Sequence, residues 1–377
     1  MNEIQTKKEL KVLFPIQAKT AMEIIEDILV QAAHSRASDI HIDPRIEDIL
    51  IRLRIDGVME EAGVLSKDFH EEMIARLKIL SGARTDIHAI PQDGRWRACI
   101  ASALYNVRVS FMPTYHGENA VVRLLPARPL TELSFARLGF TPEHVQAIDR
   151  ALQATTGLIL VAGPTGSGKT TTLHACLSIK ARQPISIITL EDPIEYEIAG
   201  IRQVHARESS GVTFSSGLRA AVRQDPDIIM VGEIRDRETA RVAVHTALTG
   251  HLVLSTIHTG SASEVLTRLV DMGVDRYLIA ATIRLIIGQR LVRTICRECF
   301  GVGCTVCRHS GYAGRSIIAE VFSIDEAMKK IIADSGSLSA CQEYASAHGF
   351  RPMSEDGAEK VQWGITTPEE IIRVLST

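Results

Sequence analysis

The chain has 377 residues, a length typical of two domains, and 45% of its residues are hydrophobic while 23% are charged. This is the composition of a globular protein with an ample core. A net charge of −3 gives no overall attraction to nucleic acid. No apolar run approaches the ~20 residues of a membrane span, and the N-terminal MNEIQTKKEL lacks the apolar core of a signal peptide. We therefore expect a cytoplasmic protein.

Hydrophobic periodicity predicts a helix and a β-hairpin near the start of the chain. Apolar residues recur at helical spacing over 20–35. Thr20 and Glu23 fit a capping box, in which each side chain accepts the other's backbone N–H. In IEDILIRLRIDG, apolar residues then alternate with mostly polar ones, which indicates a half-buried strand. We expect this strand to pair with 39–43 across a turn at 44–48.

Further elements complete a small α+β domain, which we place at residues 1–125. PQDG at 91–94 is predicted as a turn, because proline, aspartate and glycine favour turns. The other predicted elements are a helix over about 69–81 and strands near 96–100, 106–110 and 120–125.

PARPLTE, at 126–132, predicts a linker to a second domain at 133–377, because its two prolines interrupt regular structure. Continuous apolar strands then alternate with helical sequence, which is typical of a parallel sheet covered on both faces. Residues 317–377, after a cysteine cluster, are predicted as small helices. The predicted strands lie at 158–162, 185–190, 228–231 and 252–256.

A phosphate-binding loop follows the first of these strands. GPTGSGKT, at 163–170, fits the pattern G-x-x-x-x-G-K-[ST] in a strand–loop–helix context. Its glycines let the backbone N–H groups turn toward a polyphosphate. Lys169 is expected to reach the β- and γ-phosphates, and the Thr170 hydroxyl to complete the Mg²⁺ shell. We therefore predict an ATP and Mg²⁺ site formed by Gly163, Pro164, Thr165, Gly166, Ser167, Gly168, Lys169, Thr170 and Thr171.

Acids at two strand ends are candidates for the hydrolytic chemistry. Glu233 ends the apolar strand in IIMVGEIRD, where an acid contacts Mg²⁺ through water or orients the attacking water. Glu191 and Glu195 follow the apolar run ISIITL, at the kind of strand end where ligands bind. Each of these two could polarise water, or could instead be a solvated loop acid.

Several basic residues could serve the same site, because negative charge develops on the γ-phosphate during its transfer. Two arginines share a face of a predicted helix, two lie in strands of the first domain, and two histidines bracket LVLSTI. The arginines could equally be ion-pair partners, and the histidines could be core residues. These candidates are Arg219, Arg223, Arg108, Arg123, His251 and His258.

Four cysteines in CRECFGVGCTVC have the spacing C-x₂-C-x₄-C-x₂-C. Paired thiolates at this spacing suit a tetrahedral Zn²⁺, which would hold together an insert too small to form a core. The alternative is a set of reduced surface thiols. The zinc candidates are Cys296, Cys299, Cys304 and Cys307, while the isolated Cys99, Cys176 and Cys341 are expected in the core.

Taken in order, the motifs resemble the ATPases of type II secretion and type IV pilus assembly over nearly the whole chain. The first domain carries SDIHIDP, RLRIDGV, PQDGR and RVSFMPTYHGENAVVRLL. The second carries GPTGSGKTTTL, EDPIEY, GLRAAVRQDPDIIMVGEIRD, ALTGHLVLSTIHT and, after the cysteines, HSGYAGR. The gap of four between the cysteine pairs is shorter than is usual in that family.

The resemblance implies a fold, an activity and partners. It implies a RecA-like P-loop ATPase domain after a PAS-like α+β domain, with a zinc insert at 296–307. Glu233 would be the catalytic glutamate, with Glu191 and Glu195 in the Asp box, His251 and His258 in the His box, and the four arginines serving the nucleotide. It also implies a homo-hexameric ring, peripheral at the cytoplasmic face of the inner membrane, which acts on a membrane platform protein.

Three other functions remain open from the sequence. A pilus-retraction ATPase has a similarly short first domain, although retraction members typically lack the four cysteines. A nucleotide-binding regulator with little turnover would have no need for Glu233. A DNA-translocating motor would be expected to carry a basic–aromatic stripe, and we find none, so no nucleic-acid partner is predicted.

Overall fold

The computed structural model describes residues 20–127, 134–207, 210–334 and 338–376. The chain forms two compact units, Met1–Arg128 and Pro129–Thr377. Each unit is built around one sheet, of six strands in the first and seven in the second. The predicted linker at 126–132 lies for the most part outside the described residues.

The described part of the first unit, residues 20–127, is an antiparallel sheet with two α-helices. Its strand order is β3-β2-β1-β6-β5-β4, and a single 3₁₀ turn at Lys67–Phe69 precedes the second helix. In chain order, the elements are α1 (Ala21–His34), β1 (Ala37–Pro44), β2 (Asp48–Ile55), β3 (Val58–Ser66), α2 (His70–Ser81), β4 (Gln92–Ile100), β5 (Ala103–Thr114) and β6 (Gly117–Pro126).

The predicted beginning of this unit is confirmed. Thr20 caps α1, and both hydrogen bonds of the capping box with Glu23 are present. β1 and β2 form the predicted antiparallel hairpin. Apolar side chains of β1 and β2 alternate onto one face of the sheet, where they form a single core with buried residues of α1 and α2. The other face carries the alternating polar residues, as the period of two requires.

The prediction of a turn at 91–94 is wrong. Gln92, Asp93 and Gly94 belong to β4 and pair with residues of β5. A Cβ on Gly94 would lie 2.4 Å from the Cβ of Ser81, at the end of α2. Gly94 therefore permits the close approach of α2 to β4. Close approach of another backbone segment is a common reason for glycine within a strand.

The second unit has a mixed sheet with helices on both faces. The strand order is β13-β12-β7-β11-β10-β8-β9. In chain order, the elements are α3 (Phe135–Leu138), α4 (Pro142–Leu152), β7 (Gly157–Ala162), α5 (Lys169–Lys180), β8 (Ile187–Glu191), β9 (Arg202–His205), α6 (Phe214–Val222), β10 (Ile228–Val231), α7 (Arg237–Leu248), β11 (Leu252–Ile257), α8 (Glu264–Asp271), α9 (Arg276–Thr282), β12 (Ile283–Ile295), β13 (Tyr312–Ser323), α10 (Glu326–Ala333), α11 (Leu338–Ala347), α12 (Met353–Gln362) and α13 (Pro368–Leu375).

The predicted parallel strands are present, and all six residues of β7 are buried. Alternate residues of β7 belong to two separate apolar clusters, one on each face of the sheet. Helices therefore cover both faces, which explains why the strands read as continuous apolar runs. Parallel pairing joins β7 to β11 and to β12, so the phosphate loop leaves the sheet between two buried neighbours.

The prediction of helices throughout 317–377 is wrong at its start. Residues 317–323 belong to β13, which pairs antiparallel with β12 at the edge of the sheet. The run at Ser316–Ala319 is buried on both faces of the strand, so its pattern does not alternate and resembles that of a buried helix. The helices α10 to α13 follow, and the cysteine cluster lies between the two strands of the hairpin.

Among the described residues, no helix combines the length and the apolar character that crossing a membrane requires.

Candidate functional site

The predicted phosphate loop connects β7 to α5 at the carboxyl end of a central strand. Gly163 has φ +152°, and a Cβ there would lie 2.5 Å from Oγ of Ser167 and 2.6 Å from the carbonyl oxygen of Gln289. Gly168 has φ +88° and forms the N-cap of α5. Only glycine fits both positions without strain. Pro164, Thr165 and Gly166 are exposed at the crest, while Thr170 and Thr171 lie half-buried in the first turn of α5.

Lys169 is folded back into this loop. Its Nζ donates to the carbonyl oxygens of Gly163 at 2.8 Å and Pro164 at 2.9 Å. Burial lowers the pKa of Lys169 to about 8, and Arg290 adds to this effect, whereas Glu233 opposes it. The hydroxyl of Ser167 is buried and has no hydrogen-bond partner within the described part of the chain. A polyphosphate at the loop would supply acceptors for both groups, so the donor set fits this ligand.

Gln289, on β12, holds the phosphate loop through hydrogen bonds. The sequence did not identify it as a site residue. Its Nε2 donates to the carbonyl oxygen of Ser167 at 2.8 Å, and its Oε1 accepts from the hydroxyl of Thr172 at 2.8 Å. The side chain is fully buried. One signal was available, since a polar residue inside the apolar run IRLIIGQRLV requires hydrogen-bond partners in the core.

Glu233 and His258 come together beside Lys169. Glu233 follows β10, and its side chain is only 14% exposed. Its Oε2 lies 3.4 Å from Nε2 of His258, and its Oε1 lies 2.5 Å from the guanidinium of Arg235. Burial lowers the pKa of His258, Lys169 and Arg235 lower it further, and Glu233 opposes them. The arrangement places a carboxylate, an imidazole and an amine at one edge of the sheet. Arg235 was not identified from the sequence.

Glu191 and Glu195 lie in different surroundings. Glu191 is buried at the end of β8, where Thr189 donates to its Oε1 at 2.6 Å and Nε2 of His174 lies 3.3 Å from its Oε2. Burial raises the pKa of Glu191, but the hydrogen bonds from His174, Thr189 and Gln203 outweigh it and lower the pKa overall. Glu195 is only half-buried in the loop that follows. Of the two acids, Glu195 is the more accessible to water.

Arg219 and Arg223 line a cleft between α6 and α7, with a volume of about 690 Å³. Arg219 forms an ion pair with Glu238 at 2.7 Å, and Arg223 donates to the carbonyl oxygen of Arg219 at 3.0 Å. The residues that line this cleft come from the two helices and from Arg223 and Thr249 at their ends, and not from the phosphate loop.

The two predicted histidines lie at opposite ends of β11. His251 precedes the six-residue strand and contacts the carbonyl oxygen of Thr246 at 3.3 Å. His258 follows the strand and faces Glu233. A strand of this length separates the two by roughly 20 Å. Within one chain the structure therefore brings His258 to Glu233 and does not bring His251 to the same place.

Arg108 and Arg123 lie in the first unit, directly opposite each other on β5 and β6. Arg123 donates to Oδ1 of Asp39 at 2.8 Å. Asp39 is buried, and although burial raises its pKa, hydrogen bonds from Arg123 and Ser38 lower it overall. The carboxylate partly neutralises Arg123 and so weakens its repulsion of the like charge directly opposite it.

The four clustered cysteines converge between β12 and β13. Their sulfur atoms all lie within 4.8 Å of one another, with separations of 3.9, 3.7 and 3.7 Å for three of the pairs. Four sulfurs around a tetrahedral Zn²⁺ with ~2.3 Å bonds are about 3.8 Å apart. The donor set therefore fits a zinc ion.

Backbone N–H groups also point at these sulfurs. The N–H of Gly303 lies 3.2 Å from Sγ of Cys299, and that of Cys304 lies 3.1 Å from Sγ of Cys307. Burial raises the pKa of both thiols. Hydrogen bonds from Cys304 and Gly311 nevertheless lower the pKa of Cys307 to about 6, whereas the pKa of Cys299 remains raised, at about 11. Such donors favour the thiolate form, which is the form that binds metal. Outside the cluster, Cys176 and Cys341 are buried as expected, whereas Cys99 is exposed.

Sequence comparisons place the chain among secretion and pilus proteins. It is 42% identical to the type II secretion system protein HxcR of Pseudomonas aeruginosa, over 94% of this chain and 77% of that protein. It is 39% identical to the type II secretion system ATPase E of Vibrio cholerae, over 94% and 75%. It is 37% identical to the type IV pilus assembly ATPase PilB of Thermus thermophilus, over 98% of this chain and 44% of the relative.

Solved structures share the fold. The ATPase DotB of Legionella pneumophila superposes with a TM-score of 0.74 at 23% identity, over 95% of this chain and 96% of that one. The pilus retraction motor PilT with bound ADP superposes with a TM-score of 0.66 at 25% identity, over 94% and 97%. The predicted α/β fold is thereby confirmed. Residues 17–373 also match the family described as type II/IV secretion system protein, and the chain therefore belongs to this family.

Proposed function

We propose that this chain is an ATP-hydrolysing ring motor that powers assembly of a type II secretion pseudopilus or a type IV pilus. The observation that carries the proposal is the convergence of Lys169, Glu233 and His258 at one edge of the second sheet. An amine, a carboxylate and an imidazole beside a phosphate-binding loop are the groups that phosphoryl transfer uses for charge neutralisation and orientation of water. The relatives at 37–42% identity support the same class of activity.

In this proposal the residues of the site have separate roles in ATP binding and hydrolysis. The loop 163–171 binds the phosphates of ATP, and bound Mg²⁺ neutralises their charge, held by Thr170 and, through water, by Glu233. Glu233 orients the attacking water, since its carboxylate is mostly buried yet not enclosed by donors on every side. His258, which faces Glu233, contacts the γ-phosphate of bound ATP in this proposal. Glu195 is the accessible acid of the loop after β8, and Glu191 holds that loop.

We further propose that the arginines act between subunits of a homo-hexamer. Arg219 and Arg223 line a cleft rather than the phosphate loop, and Arg108 and Arg123 lie on the sheet of the first unit. A ring places such groups beside a neighbour's nucleotide, where guanidinium groups stabilise the charge of the transition state. Turnover would then drive relative movement of the two units.

The same proposal covers the metal and the cellular context. Cys296, Cys299, Cys304 and Cys307 hold one Zn²⁺ per chain, which fixes the end of the β12–β13 hairpin. The ring acts at the cytoplasmic face of the inner membrane through a platform protein, and the relatives named for type II secretion and type IV pilus assembly support this kind of system. The proposed motor has no nucleic-acid partner.

The test is the ATPase rate per chain as a function of protein concentration, with the molecular mass measured at each point. A rate that rises as a hexamer forms would support sites completed across subunits. Lys169→Ala is the control, because it removes the phosphate-binding amine and should abolish turnover in every state. Full turnover in a stable monomer would overturn the ring proposal, and near-normal turnover in Lys169→Ala would overturn the site.

A retraction motor is the second candidate, because the PilT structure superposes over 94% of this chain. The higher identity to assembly relatives favours assembly. Deleting the gene in its host separates the two, since loss of an assembly motor leaves no pili or pseudopili, whereas loss of a retraction motor leaves an excess.

A further inference from the structure

A buried hydrogen-bonded cluster joins the helix after the phosphate loop to the acidic loop after β8. His174 lies one helical turn beyond Thr170 on α5 and is fully buried. Its Nε2 lies 3.3 Å from Oε2 of Glu191. His174 lies directly after the motif GPTGSGKTTTL and is not one of the residues to which a role in ATP hydrolysis is assigned above.

The carboxylate of Glu191 holds its own loop in place. Its Oε1 accepts from the hydroxyl of Thr189 at 2.6 Å and from Nε2 of Gln203 at 2.9 Å, which uses both lone pairs of that oxygen. Gln203 in turn donates to the carbonyl oxygen of Tyr196 at 2.8 Å, and its Oε1 accepts from the N–H of Ile198 at 2.8 Å. Through Gln203, one buried acid therefore anchors the loop at Tyr196 and Ile198.

His174 supplies the remaining contact of this acid. Glu191 with its lowered pKa is a carboxylate and can only accept, so Nε2 of His174 is the donor. Its other ring nitrogen, Nδ1, is buried and has no hydrogen-bond partner among the described residues. The ring also packs edge-on against Tyr196, with 5.9 Å between centroids. An apolar residue here would leave Oε2 of Glu191 buried without this donor.

We propose that His174 is a positioning residue that couples the phosphate loop to the acidic loop 192–198. α5 begins with Lys169, so a displacement of its first turn is carried along a rigid helix to His174. From there Glu191 and Gln203 transmit it to the segment that includes Glu195. This inference deepens the proposed ATPase function and rests on it for its catalytic consequence, but the mechanical link exists without nucleotide.

The test compares His174→Gln with His174→Met in the full chain. Glutamine retains an N–H donor at the position of Nε2, whereas methionine has a similar length and no donor. Amide hydrogen exchange without nucleotide should be about tenfold faster at 192–198 in His174→Met, and close to wild type in His174→Gln. β11 serves as the internal control and should exchange equally in all three proteins.

Steady-state kinetics add a readout that packing alone would not produce. His174→Met should lower kcat about tenfold with little change in KM for ATP, and His174→Gln should restore kcat. Wild-type exchange at 192–198 in His174→Met would overturn the link, as would equal acceleration of β11 in both variants. Because the exchange is measured without ATP, an inactive wild-type protein would overturn the proposed function and leave this result intact.

Discussion

Glu233 and Glu191 are acids at the ends of neighbouring strands of one sheet, but their surroundings give them different capacities. Glu233 is 14% exposed and faces a basic side chain on each oxygen. Glu191 is 3% exposed, and donors occupy both of its oxygens. Water can reach the first carboxylate and not the second. At the scale of single residues, accessibility therefore separates two acids that the sequence pattern treats alike.

Glu233→Gln should lower ATP turnover at least about 100-fold and preserve nucleotide binding, because the amide keeps the shape and loses the charge that orients water. Turnover and binding of a fluorescent ATP analogue measure the two effects. Glu343→Gln is the control, since Glu343 is an exposed acid on α11. Loss of binding in Glu233→Gln would show that the acid serves the nucleotide in another way.

At the scale of elements, β12 links three parts of the second unit. It supplies Gln289 to the phosphate loop, leads into the cysteine cluster and anchors the last helix. Glu370 of α13 is buried and accepts from the backbone N–H of Arg293 at 3.0 Å and from its Nη2 at 2.9 Å. Although burial raises the pKa of Glu370, Arg373 and Arg293 lower it to about 2.

This shift predicts a pH-dependent contribution of Glu370 to stability. Its pKa is lowered from 4.5 to about 2 on folding, so the contribution, up to about 3 kcal/mol, is present above pH 4.5 and is lost as the pH falls toward 2. Urea unfolding should show a difference between wild type and Glu370→Gln at pH 6 that shrinks by pH 3.5. Glu343→Gln, which changes an exposed acid on α11, is the control. A difference independent of pH would contradict the assignment.

The cysteine cluster predicts a metal content of about one Zn²⁺ per chain. Cys304→Ser removes one of four ligands and should abolish tight zinc binding, which metal analysis of the purified protein measures. Cys99→Ser is the matched control, because Cys99 is exposed and outside the cluster. Equal zinc in the two variants would show that the metal is bound elsewhere, and wild-type protein without zinc would leave the four residues as thiols.

At the scale of the whole molecule, the proposed ring predicts coupling between subunits. Mixing wild-type protein with Glu233→Gln subunits should lower the ATPase rate below the wild-type fraction, because inactive subunits interrupt a cycle shared around the ring. The rate is measured as a function of the mixing ratio at constant total protein. A rate proportional to the wild-type fraction would indicate independent sites. Lys169→Ala subunits should inhibit similarly if binding as well as hydrolysis is coupled.

Local patterns were sufficient where the chemistry lies in one continuous segment. The phosphate loop, the capping box of α1 and the cysteine pairs were all identified from the sequence because each is defined within about a dozen residues. β13 was missed because its identity depends on pairing with β12, and a strand buried on both faces has no alternation to reveal it. The turn prediction for PQDG is wrong because Gly94 allows α2 to approach β4 closely. That contact involves residues outside the local segment, so the local pattern does not reveal it.

The sequence by itself determined the class of fold, the phosphate loop with Lys169, and the four sulfur ligands, since spacing along the chain fixes these groups. The tertiary structure alone decided which distant residues join them. It brought His258 to Glu233 and left His251 at the far end of β11. It also placed Gln289 in contact with the phosphate loop and His174 in contact with Glu191. The physical reason is that strand order and burial determine which side chains meet, and neither is encoded in a local pattern.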